Sequence, residues 1–369
     1  MNVGFDQLLG VLAALERPAL RIRPRQCSRL RHRKTSCSLC ADVCPAGAIS
    51  WGPTTLEVAA QQCSGCGQCA AVCPTGALES RTPTGPELVG RIRDAAKQTP
   101  AVALACRAYV AAHPEVAGTC VRVDCLGRID ESVLVGAVAW GAKQVLLIDG
   151  ACEQCRNGGI HAALARIVER SNLLLGAFGA SGEISVVGQV PGELISHGRA
   201  PVSAVSRRDL FGMMVGRGRQ TTAAGVAAVA VEVQEPTTAA SLRVGELPTF
   251  VPTKRQLLLS ALARLGQPTA ADLPGGDGFW ADVRFTEKCT GCRMCAVFCP
   301  TSALSKAEDD GKPAVHFTAS KCTGCFLCRD ICLWKAVQTS AAIDAERALS
   351  GSAVPLSSPN GPDADHRPY

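Results

Sequence analysis

Cys289-Thr-Gly-Cys292-Arg-Met-Cys295-Ala-Val-Phe-Cys299-Pro300, followed by Cys322-Thr-Gly-Cys325-Phe-Leu-Cys328-Arg-Asp-Ile-Cys332, decides how this chain reads. Eight thiols at these two spacings can hold two 4Fe–4S clusters. Three cysteines on one tight loop reach three corners of a cubane. The fourth, placed where the chain turns away, points to the other cluster. The expected sets are Cys289, Cys292 and Cys295 with Cys332, and Cys322, Cys325 and Cys328 with Cys299. Gly291 and Gly324 precede the second cysteine of each loop, where a missing Cβ lets the backbone curl toward cluster sulfur. All-thiolate ligation at this spacing argues against a zinc site or free thiols.

Over about residues 280–340 this stretch resembles the bacterial two-cluster ferredoxin family, with Leu333 standing where the family usually has proline. An earlier block, Cys63-x-x-Cys66-x-x-Cys69-x-x-x-Cys73-Pro74, matches in full and has Gly65 before its second cysteine. Its partner is irregular: Cys27, a long gap, then Cys37-x-x-Cys40-x-x-x-Cys44-Pro45, with no Gly before Cys40. By analogy one cluster takes Cys27, Cys37, Cys40 and Cys73, and the other takes Cys63, Cys66, Cys69 and Cys44. Each last cysteine opens a similar phrase: Cys44-Pro-Ala-Gly-Ala-Ile, Cys73-Pro-Thr-Gly-Ala-Leu, Cys299-Pro-Thr-Ser-Ala-Leu and Cys332-Leu-Trp-Lys-Ala-Val. Four copies in two pairs imply two ferredoxin modules in one polypeptide, with four 4Fe–4S clusters.

Aromatic residues are only 4% of the 369, so cores must be built from Ala, Val, Leu and bound cluster. Of the twenty-one cysteines, the sixteen in ferredoxin motifs need reduced thiolates and a reducing compartment rather than disulfides. The formal charge of +6 does not point to nucleic acid. Each cubane with its four thiolates adds roughly −2, so four sites bring the holoprotein to about −2. Arg21, Arg23, Arg25, Arg29, Arg31, Arg33 and Lys34 crowd around Cys27. They could dock an acidic redox partner, shield a reduced cluster, or form a solvated, counter-charging loop. No aromatic residue interleaves with them, which argues against RNA. Met1–Arg17 reads as an amphipathic helix without a basic n-region, and no run of 18 apolar residues exists. The expectation is a cytoplasmic protein without a membrane span.

Residues 86–192 follow a different grammar. Ala101–Cys106, Val121–Cys125, Gln144–Asp149 and Ile184–Val190 read as strands, and Asp130–Ala142 and Gly158–Leu175 as helices. This alternation predicts a small parallel α/β sheet. Cys106, Cys125 and Cys152 then fall at the carboxyl ends of strands, the edge where such sheets place ligands. Cys155 adds a Cys-x-x-Cys step, and Cys120 is spare. The phrases Cys125-Leu-Gly-Arg-Ile-Asp and Trp140-Gly-Ala-Lys-Gln-Val-Leu-Leu-Ile-Asp-Gly resemble the delta subunit of methyl-viologen-reducing hydrogenase. The terminal cysteine pair is more closely spaced here than in that family. The resemblance implies a 2Fe–2S cluster at the central cysteines and electron passage from a hydrogenase-like donor to a flavin-bearing partner. Two other readings stay open: buried core thiols, and a redox dithiol at Cys152 and Cys155.

The expected architecture is α+β ferredoxin-like modules at both ends flanking a small α/β parallel-sheet domain. Its divisions are 1–85, 86–192, a connector at 193–275, a second two-cluster module at 276–342, and a disordered tail at 343–369. Within the connector, Ser206-Arg-Arg-Asp-Leu-Phe211 resembles an export phrase but stands far from the start, Thr221–Val233 reads as partly flexible, and Thr253–Leu265 as an amphipathic helix. No G-x-G-x-x-G after a strand, P-loop or H-E-x-x-H is present. The expectation is an electron carrier without a catalytic site of its own, serving redox protein partners. The alternative is a thiol–disulfide oxidoreductase using Cys152 and Cys155.

Overall fold

A computed structural model of the chain describes residues 20–81, 83–150, 152–196, 247–309 and 311–356. The helix expected over Met1–Arg17, the Ser206–Phe211 phrase and Thr221–Val233 lie outside the described residues.

The first described part contains four short strands: β1 (Leu20–Ile22), β2 (Ile49–Trp51), β3 (Leu56–Val58) and β4 (Leu78–Ser80). β1 pairs antiparallel with β4, and β2 with β3. Strands of three residues bury little. Leu20, Ile49, Leu56 and Leu78 close a core whose other members include Cys27, Cys40, Cys69 and Cys73. Sulfur stands here where larger domains would place aliphatic carbon.

The middle of the chain forms a four-stranded parallel sheet of β5 (Ala101–Cys106), β6 (Cys120–Val123), β7 (Gln144–Ile148) and β8 (Glu183–Val187), in the order β6-β5-β7-β8. β5 is buried from Val102 onward, because its pleat serves both faces. Val102 and Leu104 join the core under the helix Glu131–Ala139, whereas Ala103 and Ala105 face Tyr109, Val116 and Val190. That helix starts at Asp130, whose carboxylate accepts from Ser132 N and Val133 N at 3.0 and 3.4 Å. It is buried along nearly its whole length, since three further helices cover it: Gly85–Ala96, His161–Ala177 and Thr253–Leu265. The last of these comes from the expected connector. Leu258, Ala261 and Leu262 bury it against the middle layer, so it belongs to that layer's packing.

The carboxyl part contains β9 (Asp272–Pro274), β10 (Asp282–Phe285), β11 (Leu304–Asp309), β12 (Lys312–Phe317), β13 (Val337–Ser340), β14 (Ala342–Asp344) and β15 (Val354–Leu356). It repeats the opening plan, with an outer pair β10–β13 around a hairpin β11–β12. The disordered tail expected from 343 is corrected over 343–356. Ile343 is fully buried in β14, Asp344 caps the helix Ala345–Leu349 through Arg347 N at 2.8 Å, and Leu356 pairs with Val315. The Ser- and Pro-rich composition of the tail hid these few apolar anchors. Residues 357–369 lie outside the described residues.

Phe279 and Trp280 wedge the parts together. Trp280 is fully buried and its Nε1 donates to Ala319 O at 2.8 Å. Removing such a side chain would cost about 3–5 kcal/mol. Among the described residues no helix is long and apolar enough to cross a membrane.

Candidate metal centres

The phrase repeated after each last cysteine has a common backbone cause. Gly47, Gly76, Ser302 and Lys335 stand at equivalent positions with φ of 58, 66, 53 and 50°. This left-handed step turns the chain back so that the next residue, Ala48, Ala77, Ala303 or Ala336, is buried. The turn also aims backbone N–H groups at sulfur. Ala48 N donates to Cys44 Sγ at 3.3 Å, Leu304 N to Cys299 Sγ at 3.4 Å, and Ala336 N to Cys332 Sγ at 3.3 Å. The glycines before the second cysteines, Gly65, Gly291 and Gly324, also have positive φ, whereas the irregular loop instead enters a helix at Leu39–Asp42.

In the amino-terminal part, Cys40 lies in the field of Cys73, Cys27 and Cys37. Burial, followed by those three neighbours, pushes its thiol up to about 12. Cys27 is thus brought to the same place as the other three despite the long gap. Cys66 neighbours Cys44 and Cys63, and Cys69 neighbours Cys66 and Cys63. In the carboxyl part, Cys289, Cys292, Cys295 and Cys332 border one cavity of about 260 Å³. Cys299, Cys322, Cys325 and Cys328 share another, and burial and mutual repulsion push Cys328 far up.

The middle sheet gathers a fifth set. Cys106 ends β5, Cys125 follows β6 and Cys152 follows β7, and Cys125 neighbours both Cys152 and Cys106. Cys152 in turn neighbours Cys106 and Cys155. The strand order reverses between β6 and β7 around β5, the point at whose carboxyl edge open parallel sheets place ligands. Three of the thiols accept backbone N–H groups: Cys106 from Tyr109, Cys125 from Gly127, and Cys155 from Asn157, at 3.4–3.5 Å. Burial first, then neighbouring thiols, raises Cys125 to about 12; burial, Cys106, Asp149 and Cys155 raise Cys152 to about 11. Cys120 sits away from this edge, opposite Ala103.

The five sets are also neighbours of one another. Cys125 lies in the field of Cys66, Cys69 in that of Cys40 and Cys73, Cys325 in that of Cys37, and Cys328 in that of Cys295. The order along this path is the middle set, the Cys63 set, the Cys27 set, the Cys322 set and the Cys289 set.

The donor chemistry fits polynuclear iron–sulfur groups. No three Cys, His, Asp or Glu side chains among the described residues converge closely enough to ligate a single ion. Four buried sulfurs that repel one another are costly unless positive charge stands among them. An iron core supplies that charge and draws each thiol into the thiolate form. Two cations were missed when reading the sequence. Arg31, in the basic stretch, is 7% exposed, and Arg255, on the helix Thr253–Leu265, is 3% exposed. Both lie beside the Cys322 set. A lone arginine among six basic neighbours carries no signal of burial.

A family model described as a 4Fe-4S dicluster domain matches the chain twice, over residues 35–77 and 288–336. These two segments fit two ferredoxin modules and support an iron–sulfur electron-transfer role. Cys27 and the four cysteines of the middle sheet lie outside both matches. No curated protein and no solved structure matches the chain.

Proposed function

We propose that the chain is an electron-transfer subunit or adaptor, relaying single electrons between a donor and a separate catalytic partner, flavin-containing by the resemblance of the middle domain. The supporting observation is the meeting of Cys106, Cys125, Cys152 and Cys155 at one sheet edge, next to Cys66. On this reading the two modules hold four 4Fe–4S clusters and the middle set holds a 2Fe–2S cluster, giving a protein for a reducing cytoplasm. When bound, such clusters take up and release one electron each. The residues of the chain do the rest. Cysteines bury the sites, and backbone N–H groups at Ala48, Gly127, Leu304 and Ala336 offset negative charge on sulfur.

A thiol–disulfide exchange reaction at Cys152 and Cys155 is less well supported. A reactive dithiol needs a depressed thiol pKa, but burial with Cys106 and Asp149 nearby lifts Cys152. Iron and sulfide should be counted in anaerobically purified protein, with EPR after reduction. About eighteen iron atoms correspond to four cubanes and one 2Fe–2S site. Ser at any one of Cys106, Cys125, Cys152 or Cys155 should remove the 2Fe–2S signal alone. Unchanged iron and spectra in all four variants would refute the middle site. No more than eight iron atoms in the wild type would refute the two modules.

A further inference from the structure

We propose that Arg31 and Arg255 make the centre held by Cys299, Cys322, Cys325 and Cys328 the most easily reduced of the relay, so that electrons arriving from the amino-terminal module come to rest there. The inference rests on the reading of this set as cluster ligands.

Arg31 belongs to the amino-terminal module, on the helix Ser28–Arg31 just after Cys27. Its guanidinium reaches across to the carboxyl module and donates to Phe298 O at 3.3 Å, one residue before Cys299. It also donates to Arg25 O at 2.8 Å, to Gln26 Oε1 at 3.4 Å and to Pro248 O. All four acceptors are neutral. Its charge is therefore left to act on the nearby sulfurs of Cys299 and Cys325. Around it, His32 packs edge-on to Phe298 with ring centroids 5.0 Å apart, and Gln26 Nε2 donates to Pro248 O at 3.2 Å. The contact between the modules thus holds Arg31 in place.

Arg255 approaches the same set from the other side. It stacks over Trp280 at 4.2 Å, donates to Phe279 O, and leaves Nη1 buried without a partner. Its charge acts on Cys322. Burial opposes its charge and the neighbouring Cys322 supports it, and a guanidinium stays protonated at neutral pH. Nearby, Glu131 is engaged by Arg170 at 2.8 Å.

The other sets have different neighbours: beside the Cys63 set, the buried Arg128 packs on Gly67 and is flanked by the carboxylates of Asp130 and Asp124. Asp149 faces Cys152 in the middle set, and Asp42 faces Cys37 in the Cys27 set. Arg33 and Lys34 border the Cys289 cavity but are exposed, so solvent and salt screen them. Added electrons make a cluster more negative, so fixed positive charge favours reduction and fixed negative charge opposes it. A buried unit charge within about 10 Å, at an effective dielectric of about 20, changes such an equilibrium on the order of tenfold.

The test is an anaerobic EPR-monitored redox titration of the full-length holoprotein, with iron counted first in every variant. One 4Fe–4S signal of the wild type should appear at a higher potential than the others. Arg31→Gln should lower that signal's reduction equilibrium roughly tenfold, about 59 mV for one electron, with the other signals in place. Arg255→Gln should shift the same signal, and Arg31→Lys, which keeps the charge, should restore most of the wild-type value. Full iron with no shift in the Gln variants, or a Lys variant that behaves like Gln, overturns the role of charge. Loss of one cubane in both Gln variants also overturns it, by assigning the arginines to folding. Wild-type protein without clusters in the carboxyl module instead refutes the reading beneath it.

Discussion

Gly324 packs so closely on Gly276 that a Cβ at position 324 would meet the Gly276 carbonyl oxygen at 2.5 Å. Its φ of 58° adds a backbone conformation that L side chains rarely adopt. The same loop carries Cys322 and Cys325, so its curl sets where two thiols stand. Gly324→Ala should destabilise the holoprotein by roughly 1–3 kcal/mol and remove one cubane, about four iron atoms. Iron analysis with a guanidinium titration checks this. Full iron and an unchanged midpoint would show that the loop tolerates a side chain.

Lys335 presents the opposite case. It occupies the turn that Gly47 and Gly76 fill in the other module, with φ of 50° and an exposed side chain. Lys335→Gly should relieve that conformation and stabilise the fold by up to about 1 kcal/mol, after the entropy that glycine adds to the unfolded chain. Slower iron loss in denaturant would reveal the gain. Faster loss would mean that the lysine side chain matters more than the turn.

The modules should depend on iron for their structure, since the amino-terminal core is largely cysteine. In whatever folded structure the iron-free protein retains, burial and neighbouring thiols raise Cys40 to about 12, against about 8.5 when unfolded. That contribution to stability is complete below the unfolded value and is lost as pH rises toward the folded one. With iron bound the sign reverses, because ligation needs thiolate and protons compete for it. Iron loss should therefore accelerate as pH falls from 8 to 5, whereas any residual apo structure should weaken above about pH 9. Circular dichroism of both forms across this range is the measurement. Native spectra in the apo protein would contradict the dependence on iron.

The proposed five sets of four would use all but one of the 21 cysteines, leaving Cys120. Burial lifts this thiol to about 11. In the holoprotein an alkylating reagent should modify Cys120 alone, slowly at pH 8 and faster toward pH 11, since only thiolate reacts. Mass mapping that finds several labelled cysteines would show that the sets are incomplete.

The two dicluster segments were legible from spacing because their geometry is local. Cys289-x-x-Cys292-x-x-Cys295 and two of its three counterparts lie within a few residues, and the repeated phrase encodes a single left-handed turn at Gly47, Gly76, Ser302 and Lys335. The strand reading also placed Cys106, Cys125 and Cys152 at one edge, because strand ends in a parallel sheet share it. It said nothing of how the sets adjoin. The approach of Cys37 to Cys325, and the burial of Arg31 beside Cys299 and of Arg255 beside Cys322, arise from packing between distant parts of the chain. The Arg31–Phe298 hydrogen bond spans 267 positions. Ligands that lie close together in the chain or follow a repeated pattern can be read from spacing, whereas a charge that tunes a site need only be brought near it. That nearness is set by the packing of one module against the other, and only the tertiary structure decides it.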